Sequence, residues 1–207
     1  MDDERIGEWL GKLASSAPAP GGGAAAALEV AMGAALVEML ASLTIGKPAY
    51  AEHDETMGSV RDRAAVLRGE ATALAAEDAA AYTSVIAAYR LPKQSDAETA
   101  VRTAAIQAAL ALAADVPRRT AAAASEVLDL AERIVPIANV NVISDGAAAA
   151  AAARAALQTA LLNIYANRAS IADEALRDEL AAATRAIEAD LVRADEVVAS
   201  VRERSAG

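Results

Sequence analysis

The 207-residue chain has no cysteine, no phenylalanine and a single histidine, His53, and aromatic residues make up 2% of it. Without cysteine there are no disulfides, no thiolate nucleophile and no thiolate zinc site. With one imidazole, any His-paired triad would have to use His53. The absence of cysteine carries no redox-compartment signal in either direction. The scarcity of rings rules out a core built on large side chains. Basic patches are also missing: Arg and Lys are scattered among a larger number of acidic residues, the net charge is −10, and no basic face forms. Nucleic acid is therefore not an expected partner. The opening "MDDERIGEWL" is acidic and lacks an apolar h-region, so a cytoplasmic location is expected.

What is abundant is alanine, the best helix former, in a chain that is 55% hydrophobic. An all-α protein follows, with thin helices approaching closely. Long apolar runs do occur. Ala24 to Ile45 approaches the length that spans a bilayer, but Glu29 and Glu38 interrupt it on opposite faces of a helix. Ser144 to Ala166 carries Asp145 and Arg154. Intramembrane charges are costly, so no membrane span is expected.

Periodicity and punctuation predict about seven helices in one domain, residues 1–207, arranged as an up-and-down bundle. A short helix over Glu4–Ala14 would turn Ile6, Trp9, Leu10 and Leu13 to one side. A second starts near Gly23, stops before Gly46 and Pro48, and carries the stripe Leu28, Met32, Leu36, Met39 and Leu43. A third covers Ala51–Tyr89. Ser95 and Glu98 form a capping box for the fourth, which is apolar on two faces: Val101, Ala105 and Leu112 on one, Ile106 and Leu110 on the other. Pro117 suits the first position of a fifth helix ending near Arg133. Ser144 is the expected cap of the sixth, to Arg168. Ser170 is the expected cap of the seventh, with Leu176, Leu180, Ile187, Leu191, Val198 and Val201 as its stripe.

Three connections carry the chemistry-bearing residues. In "SSAPAPGGG", Gly21, Gly22 and Gly23 let backbone lie against a ligand, and the helix that follows offers free N–H groups to an anion. A tight interhelical turn is the competing reading. In "TIGKPAY", Lys47 could meet a carboxylate or phosphate, although a solvated cation near a helix C-terminus is the simpler reading. "NVNVISDG" packs Asn139, Asn141, Ser144 and Asp145 before a helix. An N-cap cluster accounts for Ser144 and Asp145 but not for the two amides. Asn163 and Asn167 share a helix face. Asp145 and Asn163 share one too, but about 27 Å apart along the axis, so they could serve one reacting atom only across a dimer. His53 reads as a cap or a solvated side chain.

Taken together, "PAPGGGAAAALEVAMGAALVEMLASLTIGK", "EDAAAYTSVIAAYRLPK" and "NVNVISDGAAAAAAARAALQTALLNIYAN" resemble, in order, the motifs of the cyclodeaminase/cyclohydrolase family. That family includes the C-terminal domain of formiminotransferase-cyclodeaminase and stand-alone methenyltetrahydrofolate cyclohydrolases. The chain departs from it at Pro48 and Ala49, where relatives often carry lysines, and in the near-pure alanine after Gly146. The resemblance implies a homodimer acting on a folate. The expected reaction is hydrolysis of 5,10-methenyltetrahydrofolate to the 10-formyl compound, with cyclodeamination of the formimino compound or non-catalytic folate binding as alternatives. It implies Asp145 as the base or cation-stabilising carboxylate, Asp78 as a second carboxylate, and Asn141 and Ser144 orienting water or the pterin. Gly21, Gly22 and Gly23 would form a cleft wall, Lys47 and Lys93 would meet the glutamate tail, Tyr50 would stack on the pterin, and Asn163 would bind substrate. No metal or other cofactor is expected.

Overall fold

In a computed structural model that describes residues 5–206, the chain is all-helical, and no strand occurs among the described residues. Six α-helices follow one another: α1 (Ile6–Leu13), α2 (Gly22–Ser42), α3 (Asp54–Tyr89), α4 (Asp96–Ile134), α5 (Ile143–Arg168) and α6 (Glu174–Ala206). Short 3-10 turns at Pro48–His53, Val135–Ile137 and Val140–Val142 complete the chain.

The helix directions follow from side-chain pairings. Gly23 of α2 lies against Asp78 of α3, and Arg68 of α3 donates to Glu38 at the far end of α2, so the two run antiparallel. Gly22 meets Thr159, whereas Gly33 meets Ala149 and Ala152, so α5 is antiparallel to α2 as well. A Cβ on Gly33 would sit 3.2 Å from the Ala149 carbonyl oxygen; glycine is what lets these two helices approach this closely. Helix α4 closes the group from behind, in contact with α2, α3 and α5, and α6 covers α4 and α5. Trp9 of α1 caps one end of the core on Ala24, Ala27, Leu74, Ala75 and Val116.

Two expectations about the helices change. The predicted fourth and fifth helices are one continuous α4, with Pro117 in its interior. A proline there removes one helical hydrogen bond, leaving the carbonyl four residues earlier without its donor. That carbonyl is Ala113, and the Asn167 side chain of α5 supplies the missing donor at 2.9 Å. The predicted apolar stripe of α2 holds only in part: Leu28 and Leu36 are half-buried against the core. Met32, Met39 and Leu43 are exposed, and the buried face is Ala24, Ala27, Val30, Ala34, Val37, Leu40 and Ala41. Close approach selects the small-residue face, since dense packing against three neighbours leaves no room for methionine. On α4, likewise, Ile106 and Leu110 are buried while Val101 and Leu112 are exposed.

The caps shift by smaller steps. The Ser95–Glu98 capping box forms in both directions. Ser144 does not cap α5, because the helix starts one residue earlier, at Ile143. Ser170 does not cap α6; Asp173 does, its Oδ1 accepting from the Ala175 and Leu176 N–H groups. In α1 only Trp9 is buried, whereas Ile6 and Leu10 are exposed, and the predicted start at Glu4 lies outside the described residues. By length and composition, α2, α4 and α5 are apolar enough to cross a membrane.

Candidate active site

A cavity of about 380 Å³ opens where the Pro-Gly loop meets α3, α4 and α5. Its volume falls in the range of small-molecule sites. Gly21, Gly22 and Gly23 form one wall, next to Pro18 and Ala19, and Asp78 and Tyr82 of α3 form another. Ala113 of α4 with Asn163, Ala166 and Asn167 of α5 closes it. The loop contains a cis Ala19–Pro20 peptide.

Asp78 is held at the start of α2. A Cβ on Gly23 would stand 2.8 Å from its Oδ2 and nearer still to Oδ1, so only glycine lets the carboxylate reach the helix terminus. Burial raises the Asp78 carboxyl above the ordinary carboxylate range, and the hydrogen bond from the Ala24 N–H opposes that shift. Asn163 has its Nδ2 buried without a hydrogen-bond partner. Asn167 is oriented by Ala113, since a carbonyl can only accept and the Nδ2 must face it. Among the described residues lining the cavity, Tyr82 is the one aromatic side chain. A groove of similar volume, about 400 Å³, runs between α3 and α4, but its polar groups are already paired, Arg119 with Glu77 and Glu126 with Arg63.

Of the residues named from sequence, the structure brings together Gly21, Gly22, Gly23, Asp78 and Asn163. It does not bring Lys47, Tyr50, Asn141, Ser144 and Asp145 to this cavity. They gather at the other end of the α2–α5 pair, where the C-terminus of α2 meets the N-terminus of α5. There Asn139 is structural. It is buried, donates its N–H to Thr44 Oγ1 at 3.1 Å and its Nδ2 to the Leu43 carbonyl at 3.2 Å, and accepts from Asn141. Tyr50 accepts from the Val140 N–H through its hydroxyl, and Ser144 and Lys47 are exposed. Lys93 is exposed in the connection between α3 and α4 and does not line the cavity. His53 lies beside Glu52, with Nε2 3.7 Å from Oε1.

Two lining residues were not among the predicted site residues. Tyr82 lies four residues after Asp78, and Asn167 four after Asn163. That spacing stacks each on the face of its partner, and it was the available signal.

An all-α fold with a glycine-walled, carboxylate- and amide-lined cavity is the class defined here, and the comparisons give it a family. The formiminotransferase-cyclodeaminase family model matches residues 5–186, and the chain belongs to that family. It is 46% identical to a methenyltetrahydrofolate cyclohydrolase of Methylorubrum extorquens, over 86% of this chain and 85% of that protein. It is 28% identical to the formimidoyltransferase-cyclodeaminase of Rattus norvegicus over 86% of this chain, which spans 33% of that longer protein. Its fold matches the crystal structure of formiminotetrahydrofolate cyclodeaminase from Thermotoga maritima with a TM-score of 0.88 at 27% identity, covering 100% of this chain and 99% of the other.

Proposed function

We propose that the protein is a methenyltetrahydrofolate cyclohydrolase. The observation that carries this reading is the 46% identity, over most of both chains, to a protein of that name. The cavity supports it chemically. The bridging carbon of 5,10-methenyltetrahydrofolate is a cationic amidinium, already electrophilic, so the protein needs to position it and a water and to accept a proton. Water attacks that carbon and Asp78 takes one of its protons. The resulting carbinol then loses its remaining O–H proton as the bond to N5 breaks and N5 is protonated, leaving the 10-formyl group. A carboxyl raised by burial is a better base than an ordinary carboxylate, which favours Asp78 for this step. Tyr82 offers a ring face to the pterin, and Lys93, exposed between α3 and α4, is the cation assigned to the glutamate tail.

The reading includes a homodimer, with the whole chain acting as a single up-and-down helical domain in the cytoplasm, without metal, cofactor, nucleic acid or membrane. The outer face of α2 and α5 supports the dimer. Met32, Met39 and Leu43 are exposed along α2 and Leu162 is exposed on α5, and Glu29 of α2 has its Oε2 buried without a partner. The Asp145 and Asp78 ends lie at opposite ends of this face. An antiparallel two-fold pairing across it brings Asp145 and Lys47 of one copy to the cavity of the other. Asp145 keeps a catalytic role in this reading, supplied by the second copy, with Asn141, Ser144 and Tyr50 beside it.

A second reading, formiminotetrahydrofolate cyclodeaminase, has one observation in its favour. The burial that raises Asp78 also populates the acid that a departing amine needs. The two are separated by measuring kcat/KM for methenyl- and formiminotetrahydrofolate in one buffer, the former followed by its ultraviolet absorbance. The methenyl compound is expected to be the better substrate. A larger value for the formimino compound reverses the assignment, and turnover of neither leaves a binding protein.

A further inference from the structure

Asn167 has one polar atom fixed and one free. Its Nδ2 donates to the Ala113 carbonyl, which Pro117 has left without a helical donor. Among the described residues no hydrogen bond occupies its Oδ1, and the residue lines the cavity. One turn earlier on the same face, Asn163 has the opposite vacancy, a buried Nδ2 with no acceptor. Side chains four residues apart on a helix are neighbours. The α5 wall therefore presents a free acceptor at Asn167 beside an Asn163 amide whose donor end is buried without an acceptor, an orientation that a turn of the amide would exchange.

We propose that Asn163 and Asn167 together read the lactam edge of the pteridine ring, and that Pro117 is the positioning residue that sets the polarity of Asn167. Asn167 Oδ1 accepts from the ring N3–H, while the Asn163 amide turns its unpartnered Nδ2 to the cavity and donates to the adjacent C4 carbonyl oxygen. A lone asparagine can satisfy either polarity by turning its amide over. Asn167 cannot turn, because its oxygen would then face the Ala113 carbonyl. Pro117 thus acts at a distance: by withholding a backbone N–H it assigns the donor end of Asn167 to the protein and the acceptor end to the ligand. The inference rests on the folate reading and adds to it a specificity for the 4-oxo form of the ring, whose donor and acceptor a 4-amino ring interchanges.

The test is calorimetric binding of folate and its 4-amino analogue to the full-length protein and to variants. Wild type is expected to prefer folate by about tenfold or more, the scale of one mismatched hydrogen bond in a desolvated site. In Asn167→Ala the preference should fall to near unity. In Pro117→Ala residue 117 regains an N–H for the Ala113 carbonyl and frees the Asn167 amide to turn. The preference should shrink there too, while the melting temperature stays the same or rises. A merely structural role for either residue would lower the melting temperature and leave the preference intact, and that result overturns the proposal. Equal affinity of wild type for the two rings also overturns it, while leaving the folate reading standing. Binding of neither ring to wild type overturns both.

Discussion

Gly23 and Asp78 occupy space that would overlap if residue 23 carried a side chain: a Cβ there would meet the carboxylate well inside van der Waals contact. This contact, from the first turn of α2 to the middle of α3, brings the carboxylate to the cavity. Gly23→Ala would ordinarily stabilise a helix by about 0.5–1 kcal/mol. Here the overlap should dominate, costing about 1–3 kcal/mol as an overpacked contact, and Asp78 should be displaced. The expected outcome is a lower melting temperature together with a loss of kcat/KM of about tenfold or more, because catalysis depends on sub-ångström placement. A variant more stable and as active as wild type would remove this contact from the site.

Asp78 ties activity to stability through its proton. Burial raises its pKa in the folded protein above the ordinary aspartate value, so the folded state holds the proton more tightly than the unfolded state does. Stability contributed by this group is fully present below the unfolded value and is lost as pH rises through the folded one. Asp78→Asn should therefore raise the melting temperature at neutral pH, with the gain disappearing in acid. Turnover should fall by about two orders of magnitude or more, as for loss of a positioned base. The acid limb of the wild-type kcat/KM profile should lie above the ordinary carboxylate range. Melting curves at acid and neutral pH, with a pH–rate profile, check all three.

Much of this architecture was legible from the chain. Alanine content and Pro-Gly punctuation give an all-helical protein, and the Ser95–Glu98 box gives the start of α4. The three glycines, Asp78 and Asn163, which the structure brings together around one cavity, were named from motif residues. What misled was size. Met32 and Met39 are the bulky apolar residues of α2, and hydropathy alone points them inward, but the alanine face permits a closer approach and is the buried one. Pro117 was read as a helix start because its local meaning is a missing donor. The Asn167 amide that replaces the donor comes from 50 residues further along the sequence, beyond any local pattern. Asp145 and Asn163 were placed at a distance by counting turns, but which of them belongs to a cavity required the neighbouring helices.

Exhaustive chelation should leave turnover unchanged. The motive is composition: no cysteine, one histidine, and, among the described residues, no group of three His, Asp or Glu side chains that could hold a metal ion. The substrate already carries the positive charge a Lewis acid would otherwise provide. Activity lost on chelation and regained only with a divalent ion would contradict this.

The separation of Asp145 from Asp78 makes a dimer-shared site testable without a structure of the dimer. If each cavity takes its own Asp78 and the Asp145 of a second copy, Asp78→Asn and Asp145→Asn homodimers should each lose about two orders of magnitude in turnover. Unfolding and refolding an equal mixture then redistributes the subunits. Half of the dimers become mixed, and in each of these one cavity receives both defects and the other neither. Activity should return to about a quarter of the wild-type value, the share of intact cavities in a randomly exchanged two-fold dimer. If both carboxylates served a cavity within one chain, every cavity in the mixture would carry a defect and no activity would return. A near-normal Asp145→Asn homodimer would instead remove Asp145 from the mechanism and leave Asp78 as the working carboxylate. Breaking the α2–α5 face should act in the same direction: Met32→Glu puts a charge on that exposed surface, away from the cavity lining. It should yield a folded monomer by light scattering, with turnover reduced as far as in the Asp145 variant.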